Sequence, residues 1–580
     1  MTVIGAINSA LTSVRALGTS VSVLSDNIGQ ASSETHNRRT SSVEALVYGG
    51  VKVSGIRRAV NDGLRDANFS ANAAQNFWST KQQFVDNYEA LMGSLGGDTP
   101  LVRYVADFEQ AWRLFQATPE VQSIETTVVA RANAVVSEVR RLSSGLDQIE
   151  AQVNREIENE VTKFNNALLE LTSINARISR SFGSSQSIAT LENLAEKQIE
   201  ILSGSLDFNL RRNQNMTYQI TATNFSITTI PPYTLSYNSG SQALSREINS
   251  RDDIRNAVPG GRLESLVQLV SRQQAEVNSE DRTIGFVSKL RSDLDEVVRN
   301  FTDDYTSKIR LRTIIGDPNT GGGGNVIANL TGLQTGTIDL TLTPSTGGAA
   351  TTTSITIGAT TTVNELVNSI NTTVAGVTAR ANTAGQLELF TAQGTLSLSD
   401  NGPATGLLGN VTANTNFLIE NAPSFANIYR TSATRTGANE VETFFTGIST
   451  TDIDRNNFQV NANLQNHTGR LKRSAAAGIV DGFNARTRVF NSTAYSVENV
   501  NYTQAITGLS NNILETGRRV EERAEQETEI RTQMRTTYRN DVGTNIDSEI
   551  TRLTILQNNH NASARVITAA DNMLVALIRS

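Results

Sequence analysis

Apolar residues recur near the start of the chain at Ile4, Ile7, Leu11, Val14, Leu17, Val21, Leu24 and Ile28, with gaps of 3, 4, 3, 3, 4, 3 and 4. That spacing predicts an amphipathic helix whose stripe follows a coiled-coil seam. The end of the chain repeats it at Ile546, Ile550, Leu553, Leu556, His560, Ala564, Ile567, Ala570, Leu574 and Leu577. A lone helix cannot bury such a stripe. Each end therefore needs a partner, either the opposite terminus or neighbouring copies of the chain. Terminal helices are expected over 1–45 and 541–580.

Between Val60 and Gly204 the pattern is helical in about four pieces, broken at Gly96-Gly97-Asp98-Thr99-Pro100, at Thr118-Pro119 and at Gly183-Ser184-Ser185. The longest piece carries Val135, Val139, Leu142, Leu146, Ile149, Val153, Ile157, Val161, Phe164, Leu168, Leu171, Ile174 and Ile178, a near-heptad run that predicts a long helix in a bundle. Further helices are expected over Gly261–Asp304 and Tyr502–Arg539, the latter with a charge-laced, solvated face. A helical bundle domain thus takes 46–204, 261–312 and 499–540. Residues 205–260 and 425–498 read as β-rich or mixed outer segments. In 321–420 the composition shifts to Gly and Thr, and strands at Ile338–Thr343, Ser354–Ile357, Val377–Ala381, Leu387–Thr391 and Leu396–Ser399 surround a helix over Val363–Val374. The fold class is α+β: an elongated multidomain rod of long helical segments contributed by both termini, with an inserted α+β module.

Length and composition narrow the chemistry. The 580 residues suggest about four domains. Fifty Lys and Arg against fifty-seven Asp and Glu leave a net charge of -7, without the basic footprint of a nucleic-acid binder. There is no cysteine, and histidine occurs only at 36, 467 and 560, which excludes disulfide frameworks, thiol chemistry and zinc clusters. No run of about 18 apolar residues is present for membrane insertion, and the first residues lack the regions of a cleaved signal peptide. GxSxG, HExxH and Walker A motifs are absent. The glycines at 321–324, without a following Lys-Ser/Thr, read as a hinge rather than a phosphate loop. His560 lies on a seam with no second ligand one turn away, so packing is expected there. The carboxylate pairs Glu521-Glu522 and Asp303-Asp304 read as solvated helix surface. No enzyme activity, cofactor or metal is expected.

The terminal segments INSALTSVRALGTSVSVLSDNIGQAS and NIDSEITRLTILQNNHNASARVITAADNMLVALI resemble those of bacterial flagellar axial proteins, the rod, hook and hook-associated subunits. VKVSGIRRAVNDGLRDANFSAN, the helix ending LLELTSINARISR, and GGRLESLVQLVSRQQAEVNSEDRTIGFVSKLRSDLDEVVRNF resemble the hook-associated junction group within that family. The insert resembles the strand-helix-strand motif of flagellin outer domains. Where the family carries Asn-Thr-Pro-Gly-Tyr after the first helix, this chain has Ser33-Glu34-Thr35-His36-Asn37-Arg38-Arg39, so its turn differs. The resemblance implies a structural subunit joining hook to filament, outside the cell and exported by the flagellar type III route. It implies terminal helices in the innermost layer, an assembly interface along the two seams, and β modules facing outward. The implied partners are its own copies in a ring, hook protein, hook-associated protein 3 and an export chaperone at the C-terminal region. Another axial subunit, such as hook-associated protein 3 or a flagellin, and an extracellular coiled-coil adhesin are the alternatives.

Overall fold

A computed structural model describes residues 3–579 apart from short segments, the longest being 248–259, 272–282, 315–323, 402–416, 421–428 and 431–440. The chain starts with α1 (Val3–Gly29), β1 (Arg39–Ala45), β2 (Val51–Arg58), α2 (Asp62–Met92), α3 (Pro100–Ala117), α4 (Gln122–Ser181) and α5 (Ala189–Ser205). Five short strands follow: β3 (Asn209–Arg212), β4 (Tyr218–Ala222), β5 (Phe225–Ser226), β6 (Thr234–Asn238) and β7 (Ala243–Glu247). Next come α6 (Gly261–Val270), α7 (Phe286–Thr302), β8 (Ser307–Ile314), β9 (Gly336–Pro344), β10 (Thr351–Ile357) and α8 (Val363–Thr373). After β11 (Thr378–Ala381), β12 (Gln386–Thr391), β13 (Gly394–Asn401) and β14 (Phe417–Glu420), the C-terminal part holds α9 (Ala462–Gln465), α10 (Arg473–Asn484), α11 (Tyr502–Val542) and α12 (Ile546–Arg579). The chain is α+β.

The break between α3 and α4 falls at Thr118-Pro119 as the sequence places it, residues 96–98 and 183–185 of the other two expected breaks lie outside the described residues, and Thr99 caps α3 by accepting the Val102 N–H at 3.4 Å ahead of Pro100 at the first helical position. Two expectations differ. The first helix stops at Gly29, and 39–45 is instead a strand, paired with β2 in an antiparallel hairpin. The helix expected over Gly261–Asp304 is two helices: α6 ends at Val270, and α7 follows Gly285, whose φ of +67° is left-handed and whose N–H donates to Gln268 O at 2.7 Å.

The chain divides into two compact units. The first comprises Met1–Gln82, Asn154–Val267 and Val520–Ser580. Here asparagine solves a recurring problem, how a helix can satisfy the backbone of a strand lying across it. Asn27 of α1 donates to Arg39 O and accepts from Arg39 N–H; Asn165 and Asn175 of α4 do the same to Leu235 and Tyr218, all at 2.8 to 2.9 Å. The carboxamide carries one donor and one acceptor in peptide-like geometry, so it replaces a missing strand neighbour. Around these clamps Arg531 of α11 reaches Asn68 O at 3.3 Å and Glu200 at 2.9 Å. Gly261 opens α6 with φ +70° hard against Leu206, where an added Cβ would strike main-chain atoms. Gly261→Ala therefore combines left-handed strain with a backbone clash and is expected to destabilise the protein by about 3 kcal/mol, read as a lower thermal midpoint.

The second unit comprises Gln83–Val153 and Gln268–Arg519. Its core is aromatic. The Phe108 ring of α3 lies with its centroid 5.7 to 6.3 Å from those of Trp112, Phe301, Phe444, Phe445 and Phe483, and Phe301 stacks on Tyr502 at 5.2 Å. Segment 425–498, expected as an outer element, thus places several phenylalanines inside this core. The inserted module has its own apolar core. Sheets β10-β9-β13 and β11-β12-β8-β14 accompany α8, and Ile338, Leu340, Ile355, Val363, Leu366, Ile370, Leu387 and Leu396 are buried together. Thr362 and Glu365 form a capping box at the start of α8, and Asn371 clamps Ala379 in the manner of the other three asparagines. Gly321, Gly322, Gly323 and the Asp303-Asp304 pair lie outside the described residues; Glu521 and Glu522 are exposed on α11.

Candidate assembly interface

Asn27 donates to Glu549, and Ser13, Ala16 and Leu17 lie beside Asn559, Ala562 and Ser563, so α1 and α12 pack antiparallel. The opposite terminus is therefore the partner that each stripe needs. Leu24 is buried at their contact face and Ile7, Val14, Leu17, Val21 and Ile28 are half-buried. On α12 Ala570 is buried, and Leu553, Leu556, Ile567 and Leu574 are half-buried. Ile4, Leu11, Ile546, Ile550 and His560 are exposed instead, the last in place of the packing expected for it; Leu577 closes α12 with its side chain outside the described residues. A second face of α12 was not drawn from the sequence. Ile555, Ala562, Val566, Ala569 and Met573 recur at gaps of 7, 4, 3 and 4 on an exposed side, with Ile555, Val566 and Met573 at 53%, 48% and 61% exposure. Its signal was present in that spacing.

The β1–β2 hairpin lies along α1. Ser41 Oγ meets Ser20 Oγ at 2.7 Å, and Gly49 and Gly50, at φ +94° and +93°, bring the hairpin tip against Ser9 and Thr12, where a side chain would collide. Below it, residues 36–39 stitch the terminal pair to the rest of the first unit. Arg38 N–H donates to Val542 O at 2.8 Å, and Arg539 donates to His36 O at 2.8 Å. The buried Glu196 carboxylate of α5 receives Arg58 from β2, Tyr538 from α11 at 2.5 Å and Asn37 at 3.4 Å. Burial, then the adjacent Glu196 charge, holds the Tyr538 phenol far above its usual range, so it stays a donor.

His36 is buried. Its Nε2 faces Asn27 Oδ1 at 3.2 Å and its Nδ1 faces Asn193 Nδ2 at 3.1 Å, which suits a neutral ring donating to the first and accepting from the second. Burial, with Arg39 and Arg539, lowers its pKa from 6.5 to about 4; Asp26 acts the other way and Arg58 adds to the lowering. The unfolded chain therefore binds this proton more readily than the folded one. Stability from this group is full above about pH 6.5 and is lost as pH falls toward 4. Relative to His36→Gln, the native chain is expected to lose roughly 2 kcal/mol over that window, after allowing for partial access of water. Parallel melts of the two proteins at pH 7.5 and 4.5 measure it, and equal pH slopes would contradict it.

Among the described residues no group of three or more His, Asp or Glu could hold a metal ion, and no helix is long and apolar enough to cross a membrane. The site is one of contact surfaces. Residues 85–305 match the family model of the helical domain of flagellar hook-associated protein FlgK. The helices of that segment thus form a helical domain of the FlgK type. Residues 339–393 match the flagellin hook IN motif, which lies within the inserted α+β module. Among solved structures, the flagellar hook junction protein FlgK from Burkholderia pseudomallei is similar, at 12% identity over 82% of this chain and 99% of that one, with a TM-score of 0.46. No curated protein matches the chain.

Proposed function

We propose that this chain is hook-associated protein 1, the structural subunit that joins hook to filament, and that it acts by fit without turnover. The observation that carries this reading is the pairing of α1 with α12, which leaves apolar side chains in water on a chain with a FlgK helical domain. Apolar surface of that kind marks an interaction site. In the flagellum the exposed positions, Ile4, Leu11, Ile546 and Ile550 among them, meet neighbouring copies in a ring placed between hook protein and hook-associated protein 3. The paired termini act as the inner axial domain. Before assembly, an export chaperone covers the C-terminal region and the subunit leaves through the flagellar export route.

Electron microscopy of a strain lacking the chain tests the reading. Hooks without filaments are expected, with filaments restored when the full chain is supplied again. Filaments still seated on hooks in the deletion strain would contradict it.

A further inference from the structure

A hydrogen-bond relay runs through the buried joint of the first unit with its direction fixed at both ends. Arg58 of β2 donates to Asn193 Oδ1 at 3.2 Å, and Asn193 Nδ2 faces His36 Nδ1 at 3.1 Å. His36 Nε2 then faces Asn27 Oδ1 at 3.2 Å, and Asn27 Nδ2 donates to Glu549 at 3.2 Å. The relay thus passes from β2 through α5, the loop at His36 and α1 to α12. A guanidinium offers only donors and a carboxylate only acceptors, so every link points from Arg58 toward Glu549. Neither carboxamide can turn over. Asn27 is held by both backbone groups of Arg39, and a turned Asn193 would set its Nδ2 against the Arg58 guanidinium. The imidazole must therefore carry one proton, on Nε2, with Nδ1 as a bare acceptor. Asn27, His36, Glu549 and the Arg58 side chain are almost wholly buried, where a mismatched donor is costly.

We propose that this relay is a proton-operated latch, which holds α1 and the β1–β2 hairpin on α5 and α11 while the ring is neutral and releases them locally when the ring takes a second proton. That proton lands on Nδ1 and turns it from acceptor to donor, opposite the Nδ2 donors of Asn193. No rotation of either amide restores the link. The new charge also meets cations from three elements: Arg39 of β1, Arg58 of β2, and Arg539 of α11, which donates to His36 O at 2.8 Å. The anions nearby are already engaged. Asp26 of α1 lies 3.9 Å from Arg39, Glu549 of α12 takes Asn27, and Glu196 of α5 takes Arg58, Asn37 and the Tyr538 hydroxyl. Burial first, and then these arginines, make the ring titrate near pH 4 rather than 6.5. In the released state it regains the ordinary value, so acid favours release. The long helix α4 is held differently, by Val153, Ile157, Leu168, Leu171, Ile174 and Ile178, none of which titrates, so the opening stays at the joint.

The full-length protein and its His36→Gln and Asn193→Asp variants are compared by amide exchange at pH 7.5 and 4.5, each rate corrected for the intrinsic pH dependence of exchange. Glutamine keeps a donor and an acceptor in place of the neutral ring and cannot take the proton. Aspartate accepts from a protonated Nδ1. In the native protein the amides of α1, β1 and β2 are expected to open roughly thirtyfold more at pH 4.5, with those of α4 unchanged. In both variants that increase is expected to vanish. Equal increases in α1 and α4 would mean global unfolding, and an increase kept by His36→Gln would place the titration on another group. Either result, or no increase in the native protein, overturns the latch. Should the variants fail to fold, the native protein itself decides, because its histidines number three and can be labelled with 15N. One ring is expected to be the Nε2–H tautomer at pH 7.5 and to gain its second proton only below pH 5. No such ring among the three would overturn the proposal.

Discussion

Phe108→Ala is expected to cost the second unit about 4 kcal/mol, among the larger effects of any single substitution in this protein. Phe108 is fully buried, and its ring meets five others drawn from α3, α7, α10 and the segment around Phe444 and Phe445. Truncation removes the transfer energy of the ring, leaves a cavity, and deletes edge-to-face contacts worth about 0.5 to 1.5 kcal/mol each before their non-additivity is counted. The surrounding aromatics are rigid plates held by one another, so they collapse poorly into the space. Phe108→Leu keeps much of the volume and should cost less than half as much. Denaturant titration decides the matter through the midpoint, with the slope unchanged. A loss of under 1 kcal/mol for Phe108→Ala would mean that the aromatic cluster is a loose assembly rather than a core.

The second large effect is expected at Glu196. Arg58→Ala strips the cation from a buried carboxylate that keeps, among the described residues, its bonds from Tyr538 and Asn37, and removal of one partner from such a pair costs about 3 to 5 kcal/mol. Replacing both partners together, as Arg58→Met with Glu196→Met, removes the stranded charge and is expected to recover most of the loss. A double-mutant cycle on the thermal midpoint reads the difference. Equal losses for the single and the double substitution would show that the pair contributes packing alone. Because Asn37 and Arg58 reach Glu196 from the loop and hairpin that bear on α1, Arg58→Ala should also loosen the terminal pair, measurable as faster amide exchange in α1.

Much of this arrangement was legible as periodicity. The near-heptad run in α4 gave a continuous helix because its apolar residues, from Val135 to Ile178, are buried without interruption. The terminal seams gave two helices, and the half-buried positions of their contact follow them. What periodicity could not show is partner choice and anything set by pairs distant in sequence. The hairpin was missed because RTSSVEA and VKVSGIRR carry too few large apolar residues to mark strands; their register is fixed against α1 through Ser20, Thr12 and two left-handed glycines. The polar joint escaped for a related reason. Asn27, His36, Asn37 and Glu196 look like surface residues in a linear reading, and only the fold brings them to one buried place. Four asparagine side chains, at 27, 165, 175 and 371, each do the work of a strand neighbour, a role that no local pattern marks. The second face of α12 was hidden because one stripe already accounted for a helix, and a helix with two apolar sides is needed only where a further partner exists.

The central claim is that these outward apolar faces join the subunit to its neighbours, and Val566→Asp tests it most directly. Val566 is 48% exposed in the single chain, so a carboxylate there stays in water and the thermal midpoint of the purified monomer should hardly move. In an assembled ring the same carboxylate would be buried without a partner, at a cost of several kcal/mol per subunit. Filaments counted by microscopy on cells carrying Val566→Asp as their sole copy are expected to be absent or rare, with hooks present and the monomer melting as the native protein does. Normal filament numbers with that variant confirmed in the flagella would contradict the account.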